Sequence, residues 1–275
     1  MTTNARPMEL SQLPTETEAK LLIVSVVPQQ IVDVIRKLPF VGEFPLGEEM
    51  NQSFDDMYFD LPDRALSRKK WAIRVRRYSH VEKVAMKGPA SELSDGALKR
   101  PELEMRWDMD CPEQILQMIE SLGVDHKKSE LRPTDAERFL VSIGFEVIQR
   151  RETHRITRKI VDPTNSVPVA ELAIDRVSFA AGDEKLVHYE IEIESWATRE
   201  CPVIEESLRF LTEKLGSLVT PWRLDKLTTV QIVCDLFESG KLLPHNSNGL
   251  LTFPAYEMVY EEAQRRRMCV GDSYY

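Results

Sequence analysis

Ionised side chains two residues apart are the chemically loaded feature of this 275-residue chain. Glu16, Glu18 and Lys20 form one such series, and Arg74 with Arg76 another, followed by Lys83 to Lys87. Further on come Arg100, Glu102 and Glu104, then Arg151, Thr153 and Arg155, then Glu190, Glu192 and Glu194. A spacing of two puts side chains on one face of a β-strand. A single acid-x-acid-x-base string is expected about once by chance at this length, but five or more strands with charge on one face and Ala, Val, Leu or Ile on the other are not. Cations gathered on one enclosed face repel by about 4 kcal/mol per pair ~4 Å apart at an effective dielectric near 20. Clustered carboxylates meet the same difficulty with opposite sign. A polyphosphate bridged to a divalent cation resolves both, because phosphate oxygens accept hydrogen bonds from Arg and Lys while a hard metal takes carboxylate oxygens. The plain alternative is a solvated sheet laced with cross-strand ion pairs, each worth a few tenths to about 1 kcal/mol.

The elements that must position these residues are strands at 16–24, 53–60, 70–78, 81–87, 101–109, 145–160, 168–179 and 186–195, punctuated by turn formers such as Pro62-Asp63 and Gly88-Pro89. Pro28 opens a helix to Leu38 with Ile31, Val34, Ile35 and Leu38 on one side. Helices are also predicted at 112–122, from a Thr134 cap to Gly144, at 202–216, at 228–238 and at 256–267. If the strands close into a barrel, helices 28–38, 112–122 and 202–216 cover its apolar outer face and the charges line the lumen. The chain then divides into a leader (1–13), a strand-rich domain (14–228) and a helical carboxy-terminal appendage (229–275).

Composition sets the outer limits. A hydrophobic content of 42% with 29% charged residues describes a globular chain, and 36 basic against 45 acidic residues argue against general affinity for nucleic acid or anionic membrane. The apolar run from Leu21 to Val27, broken by Ser25, is far short of a membrane span, and the amino end has no signal-peptide core; a soluble, cytoplasmic protein is expected. Cys111, Cys201, Cys234 and Cys269 form no CxxC pair and read as isolated reduced thiols. His80, His126, His154, His188 and His245 form no metal-binding spacing and read as surface or packing residues, with His154 and His188 expected on the outer face. Trp71, Trp107, Trp196 and Trp222 are expected in the core or rim, Trp222 being the one considered for contact with an organic substrate group. Arg265-Arg266-Arg267 after Glu261-Glu262 fits ion pairing along a solvated helix.

The order of the motifs adds a family likeness. Glu16-x-Glu18-x-Lys20, Tyr58-Phe59-Asp60-Leu61-Pro62-Asp63, Ala72-Ile73-Arg74-Val75-Arg76-Arg77, Lys87-Gly88, Arg100-x-Glu102-x-Glu104, Arg151, Ala173-Ile174-Asp175-Arg176-Val177, Tyr189-Glu190-Ile191-Glu192 and Lys226 together resemble the CYTH superfamily of triphosphate tunnel metalloenzymes. The resemblance implies an α+β fold, an eight-stranded antiparallel β-barrel or tunnel around a triphosphate, with Mg²⁺ or Mn²⁺ as cofactor. On this chain it implies Glu16, Glu18 and Glu192 as metal ligands, with Asp175, Glu190 and Glu194 as further or water-mediated ones. Lys20, Arg74, Arg76, Lys87, Arg151 and Lys226 would grip phosphates, Arg100 and Arg155 being further substrate-binding candidates. Glu102 and Glu104 would orient these bases, and Glu190, Glu192 and Lys226 would do the chemistry. Two departures stand out: Leu13-Pro14-Thr15 where class IV adenylate cyclases tend to have His-Phe, and Asp225 before Lys226 where a small hydroxyl residue is common. The expected activity is removal of the terminal phosphate of a linear triphosphate, inorganic tripolyphosphate foremost. Thiamine triphosphatase, adenylate cyclase and a non-catalytic polyphosphate- or nucleotide-binding module are the alternatives.

Overall fold

The computed structural model describes residues 9–93, 96–128, 134–196, 202–242, 248–266 and 268; Cys201, Cys269, His245, Arg267 and most of the expected leader lie outside the described residues. Strands β1 (Thr15–Ile23), β2 (Phe40–Val41), β3 (Phe44–Asp60), β4 (Ala72–Arg77), β5 (Glu82–Lys87), β6 (Ser91–Glu92), β7 (Leu98–Arg106), β8 (Glu146–Val161), β9 (Pro168–Ala181), β10 (Glu184–Ser195) and β11 (Val219–Pro221) belong to one sheet. Its order is β11-β1-β10-β9-β8-β3-β4-β5-β7-β6, with β2 on β3 and β1 also paired to β7. Eight of the strands thus follow one another in a ring of hydrogen-bonded neighbours, the expected antiparallel α+β arrangement. The helices are α1 (Pro28–Arg36), α2 (Ala65–Arg68), α3 (Cys111–Ser121), α4 (Ala136–Ser142), α5 (Val203–Leu215), α6 (Lys226–Glu238) and α7 (Phe253–Arg265). None of the described helices is long and apolar enough to cross a membrane.

Every predicted strand and helix has its counterpart, with two instructive differences. β3 reaches back to Phe44, nine residues before the predicted start, through a polar run that includes Gly47 and Asn51 and hides the alternation. The cap of α4 is Asp135, whose carboxylate accepts from the Arg138 N–H at 2.8 Å, not Thr134, whose hydroxyl donates to that same carboxylate.

By packing, the chain forms two compact units: Met1–Thr15, Phe54–Pro89 and Arg100–Arg150, and separately Glu16–Ser53, Ala90–Lys99 and Arg151–Tyr275. In the first unit Met57, Phe59, Ile73, Val75, Val84 and Met86, the alternate residues of β3 to β5, pack on Ile115, Met118 and Ile119 of α3 and Phe139 and Leu140 of α4. Each such buried side chain contributes about 1.5–3 kcal/mol of transfer free energy, which holds the opposite, charged face in register. In the second unit Ala19, Leu21, Ile23, Ile174, Ile191 and Ile193 pack likewise on α1 and α5. A third cluster is built differently. Leu22, Val177, Phe179 and Leu186 pack with Val230, Val233 and Leu236 of α6 and Tyr256 and Val259 of α7. These strand residues share parity with Lys20, Asp175 and Glu190, so the carboxy-terminal helices cover the apolar end of the charged face.

Before α7 the chain adds a short parallel bridge to β10: the Val187 N–H donates to Gly249 O at 2.8 Å and the Leu251 N–H to Val187 O at 3.0 Å. Gly249 has φ +73°, and a methyl group there would overlap the Lys185 carbonyl oxygen. Gly249→Ala is therefore expected to cost about 2–4 kcal/mol and to lower Tm by at least about 5 °C in thermal unfolding. An unchanged Tm would mean the bridge is dispensable.

Candidate functional site

In the second unit, strand register assembles the acids. Lys20 lies opposite Glu192 and Leu22 opposite Glu190 across β1 and β10; Glu190 lies opposite Asp175 across β10 and β9, and Asp175 opposite Arg155 across β9 and β8. Alternation turns Lys20, Glu190, Glu192, Asp175 and Arg155 to one face, where carboxylate oxygens of Asp175, Glu190 and Glu192 come within 4.8 Å of one another. Arg155 forks onto both oxygens of Asp175 at 2.7 and 2.6 Å and reaches Glu192 at 2.6 Å. Lys20 Nζ stands 3.2 Å from both Glu18 and Glu192.

Lys226 arrives from outside the sheet. Asp225 caps α6 by accepting from the Thr228 N–H at 2.8 Å, which makes Lys226 the first residue of the helix. Its ammonium then meets all three acids: Glu192 at 2.6 Å, Asp175 at 3.0 Å, and Glu190. The expected hydroxyl residue before the lysine is thus replaced by a carboxylate with a capping role.

Burial opposes ionisation throughout, and the cations decide where it loses. Burial alone would raise the Glu192 carboxyl, but Lys226, Lys20 and Arg155 hold it well below the ordinary carboxylate range; Arg155 and Lys226 likewise hold Asp175 down against its burial. For Glu190 burial wins over Lys226, and the neighbouring Glu192 adds to it, so its carboxyl lies above the usual value. Lys226 is raised despite its burial because Glu190, Glu192 and Asp175 surround it.

Within the first unit the charged face is rich in cations. Arg76 makes a two-pronged bond to Asp56 at 2.7 and 2.9 Å, its guanidinium carbon 3.8 Å above the Phe54 ring. Arg74 donates to Glu104 at 3.0 Å, Lys83 meets the other oxygen of Glu104 at 2.6 Å, and Lys87 meets Glu102 at 3.0 Å. Asp56 is fully buried, so Asp56→Asn, which leaves Arg76 without its counter-charge, is expected to cost about 3 kcal/mol in urea unfolding. A loss below about 1 kcal/mol would show that Arg76 is balanced elsewhere.

Among the sequence-derived candidates, the second unit brings together Glu18, Lys20, Arg155, Asp175, Glu190, Glu192 and Lys226. Glu16 and Glu194 are half-buried on the same face, and Arg151, two residues before Thr153, is buried. Arg74, Arg76 and Lys87 belong to the first unit, where Arg100 is half-buried on β7 with the parity of Glu102. Three residues escape the sequence reading. Asp56 needs the β3–β4 register to become the partner of Arg76. Glu171, opposite Glu194, extends the acidic face and is raised by burial. His188 corrects the expectation of an outer position: it is two residues from Glu190, hence on the charged face, and is fully buried, which drives its pKa down to about 3 with help from Lys226 and Arg151. His154, by contrast, is exposed and bonds Ser53 Oγ.

The donor set fits a hard divalent ion. Such ions bind oxygen at about 2.0–2.6 Å, so oxygens across one ion lie about 4–5 Å apart, the scale of the Asp175, Glu190 and Glu192 grouping. All three ligand candidates are buried carboxylates, with no sulfur or imidazole in the grouping.

The family model described as the CYTH domain matches residues 15–220. No match is found among curated proteins. Among solved structures, the Hippeastrum protein HpAC1, described as an adenylyl cyclase candidate with dominant triphosphatase activity, is 20% identical, covering 83% of this chain and 98% of its own, with a TM-score of 0.49. An adenylate cyclase candidate from Bacillus halodurans is 17% identical over 74% of this chain and 89% of its own, TM-score 0.43. The RNA triphosphatase domain of a mimivirus capping enzyme is 8% identical over 78% and 91%, TM-score 0.43.

Proposed function

The chain belongs to the CYTH domain family, and from that premise we propose that it is a divalent-metal-dependent hydrolase removing the terminal phosphate of a linear triphosphate, with inorganic tripolyphosphate the first candidate. The observation that carries the reading is the buried grouping of Asp175, Glu190 and Glu192, interlocked with Lys20, Arg155 and Lys226. Acids and cations there already neutralise each other, and an arriving polyanion with its counter-ion exchanges partners without leaving a buried charge alone.

In this reading Asp175, Glu190 and Glu192 hold the metal, with Glu16, Glu18 and Glu194 as nearby or water-mediated acids. When bound, Mg²⁺ or Mn²⁺ would neutralise phosphoryl oxygens and acidify water. Lys20, Arg155, Arg151 and Lys226 bind phosphate oxygens, and Arg74, Arg76, Lys87 and Arg100 of the first unit carry the same assignment. Glu190 is the preferred proton acceptor, because burial raises its carboxyl and so strengthens it as a base. Water attacks the terminal phosphorus, its proton passes to Glu190, and the bridging P–O bond breaks to give diphosphate and orthophosphate. Trp222 supports an inorganic substrate: its indole N–H donates to Thr229 Oγ1 at 2.9 Å and its rings pack on Tyr256 and Tyr260, so it serves the core. Cys111 and Cys234 are free thiols, in keeping with a reducing, cytoplasmic setting.

Phosphate release from tripolyphosphate, ATP and thiamine triphosphate, each with Mg²⁺ and with Mn²⁺, tests the proposal. Metal-dependent release fastest with tripolyphosphate is expected. Binding without release would favour a non-catalytic module, and cyclic AMP from ATP would favour a cyclase.

A further inference from the structure

The polar run of β3 that hides its alternation borders a cleft. Across β8, β9 and β10, His154 lies opposite Arg176 and Arg176 opposite Tyr189, with Ile156 opposite Ile174 in the next row. These residues alternate with Arg155, Asp175 and Glu190, so they occupy the reverse face of the strands that carry the acidic grouping. Gln29 and Val32, one turn apart on α1, and Asn51, Gln52 and Ser53 of β3 wall in the rows and enclose about 240 Å³, wholly within the second unit. That volume is below the ~300–1,000 Å³ of sites for drug-sized ligands and suits a smaller molecule.

No Asp or Glu lines the cleft. Glu152, two residues before His154 on the same face, is held by Lys185 at 2.5 Å, and Glu49, two before Asn51, by Arg36 at 2.8 Å, so each has a cation of its own. Arg176 and Tyr189 are half-buried, and among the described residues neither the guanidinium nor the phenol has a hydrogen-bond or ion-pair partner. His154 is fixed by Ser53, Oγ to Nδ1 at 2.8 Å; with the hydroxyl donating, the ring hydrogen sits on Nε2 and makes it a third donor. A guanidinium turned into a recess without a counter-charge, beside two further donors, is complementary to an oxyanion.

We propose that this cleft is a second ligand site, one that takes the phosphate group of a small phosphate monoester on Arg176, Tyr189 and His154 and its carbon body against Ile156, Ile174 and Val32. The guanidinium fork occupies two oxygens, which exhausts a carboxylate but leaves a phosphate a third oxygen for Tyr189 and His154. The site uses none of the side chains assigned to metal or triphosphate, so it stands apart from the proposed hydrolase reading.

The test is methyl NMR on the full chain labelled at isoleucine, titrated with phenyl phosphate in metal-free buffer. We expect saturable shifts of the Ile156 and Ile174 methyls, with Ile115 of the first unit unmoved. Arg176→Gln should raise the phenyl phosphate Kd at least about tenfold, and Tyr189→Phe about threefold, with Tm of both near wild type. Benzoate should bind at least about tenfold more weakly than phenyl phosphate. Absence of shifts at Ile156 and Ile174 overturns the proposal, as do shifts that persist unchanged in folded Arg176→Gln, which would place the ligand elsewhere. Benzoate binding as tightly as phenyl phosphate overturns the assignment to phosphate.

Discussion

Glu192→Gln is expected to lower metal-dependent phosphate release from tripolyphosphate about a thousandfold, equivalent to ~4 kcal/mol of transition-state stabilisation. Glu192 is the hub of the acidic face, touching Lys20 at 3.2 Å and Arg155 and Lys226 at 2.6 Å each. Those cations hold it ionised, so in the proposed function it is the carboxylate most ready to take a metal and the one whose loss unpairs three cations assigned to phosphate at once. Gln keeps the volume, and Glu18, Asp175 and Glu190 still balance the cations, so the fold should persist. Circular dichroism and phosphate-release kinetics on the same preparation check both halves. A folded variant with wild-type turnover would remove Glu192 from the site.

Lys226→Met should have the largest effect on stability, about 5 kcal/mol at neutral pH, because one buried ammonium serves three buried carboxylates and its removal leaves them facing one another. The pH dependence follows from the sign of each shift. Asp175 and Glu192 are held below their unfolded values in the native protein, so each contributes stability above the unfolded pKa that is lost as pH falls through the folded one. Glu190 is already above its unfolded value, and without Lys226 it rises further. A raised carboxyl favours the fold below its unfolded pKa, and that benefit is lost as pH climbs through the folded pKa. The deficit of Lys226→Met should accordingly be larger at about pH 8 than at about pH 5 in urea titrations. A deficit that is the same at both would mean the ammonium acts through packing alone.

Much of the site is legible from alternation. The spacing of Glu16, Glu18 and Lys20, of Arg151 and Arg155, and of Glu190 and Glu192 fixes which residues share a face, since apolar neighbours such as Leu21 and Ile191 must turn to the helices. His188 was available by the same rule, being two residues from Glu190. The pairing of Arg76 with Asp56 and of Arg155 with Asp175 was not, because it depends on register between strands that are 20 residues apart in the chain. Nor does any periodicity announce that α6 delivers Lys226 to acids on β9 and β10.

From the sequence by itself came the strands and helices, the face on which each charge lies and the chemical character of that face, because these follow from local alternation and the burial of apolar side chains. Tertiary structure alone decided which acid meets which base, that Asp175, Glu190 and Glu192 gather within one ion's reach, and that the last helices close over the end of their row. Those facts depend on strand register and helix docking, where contacts between residues far apart in the chain outweigh any local preference.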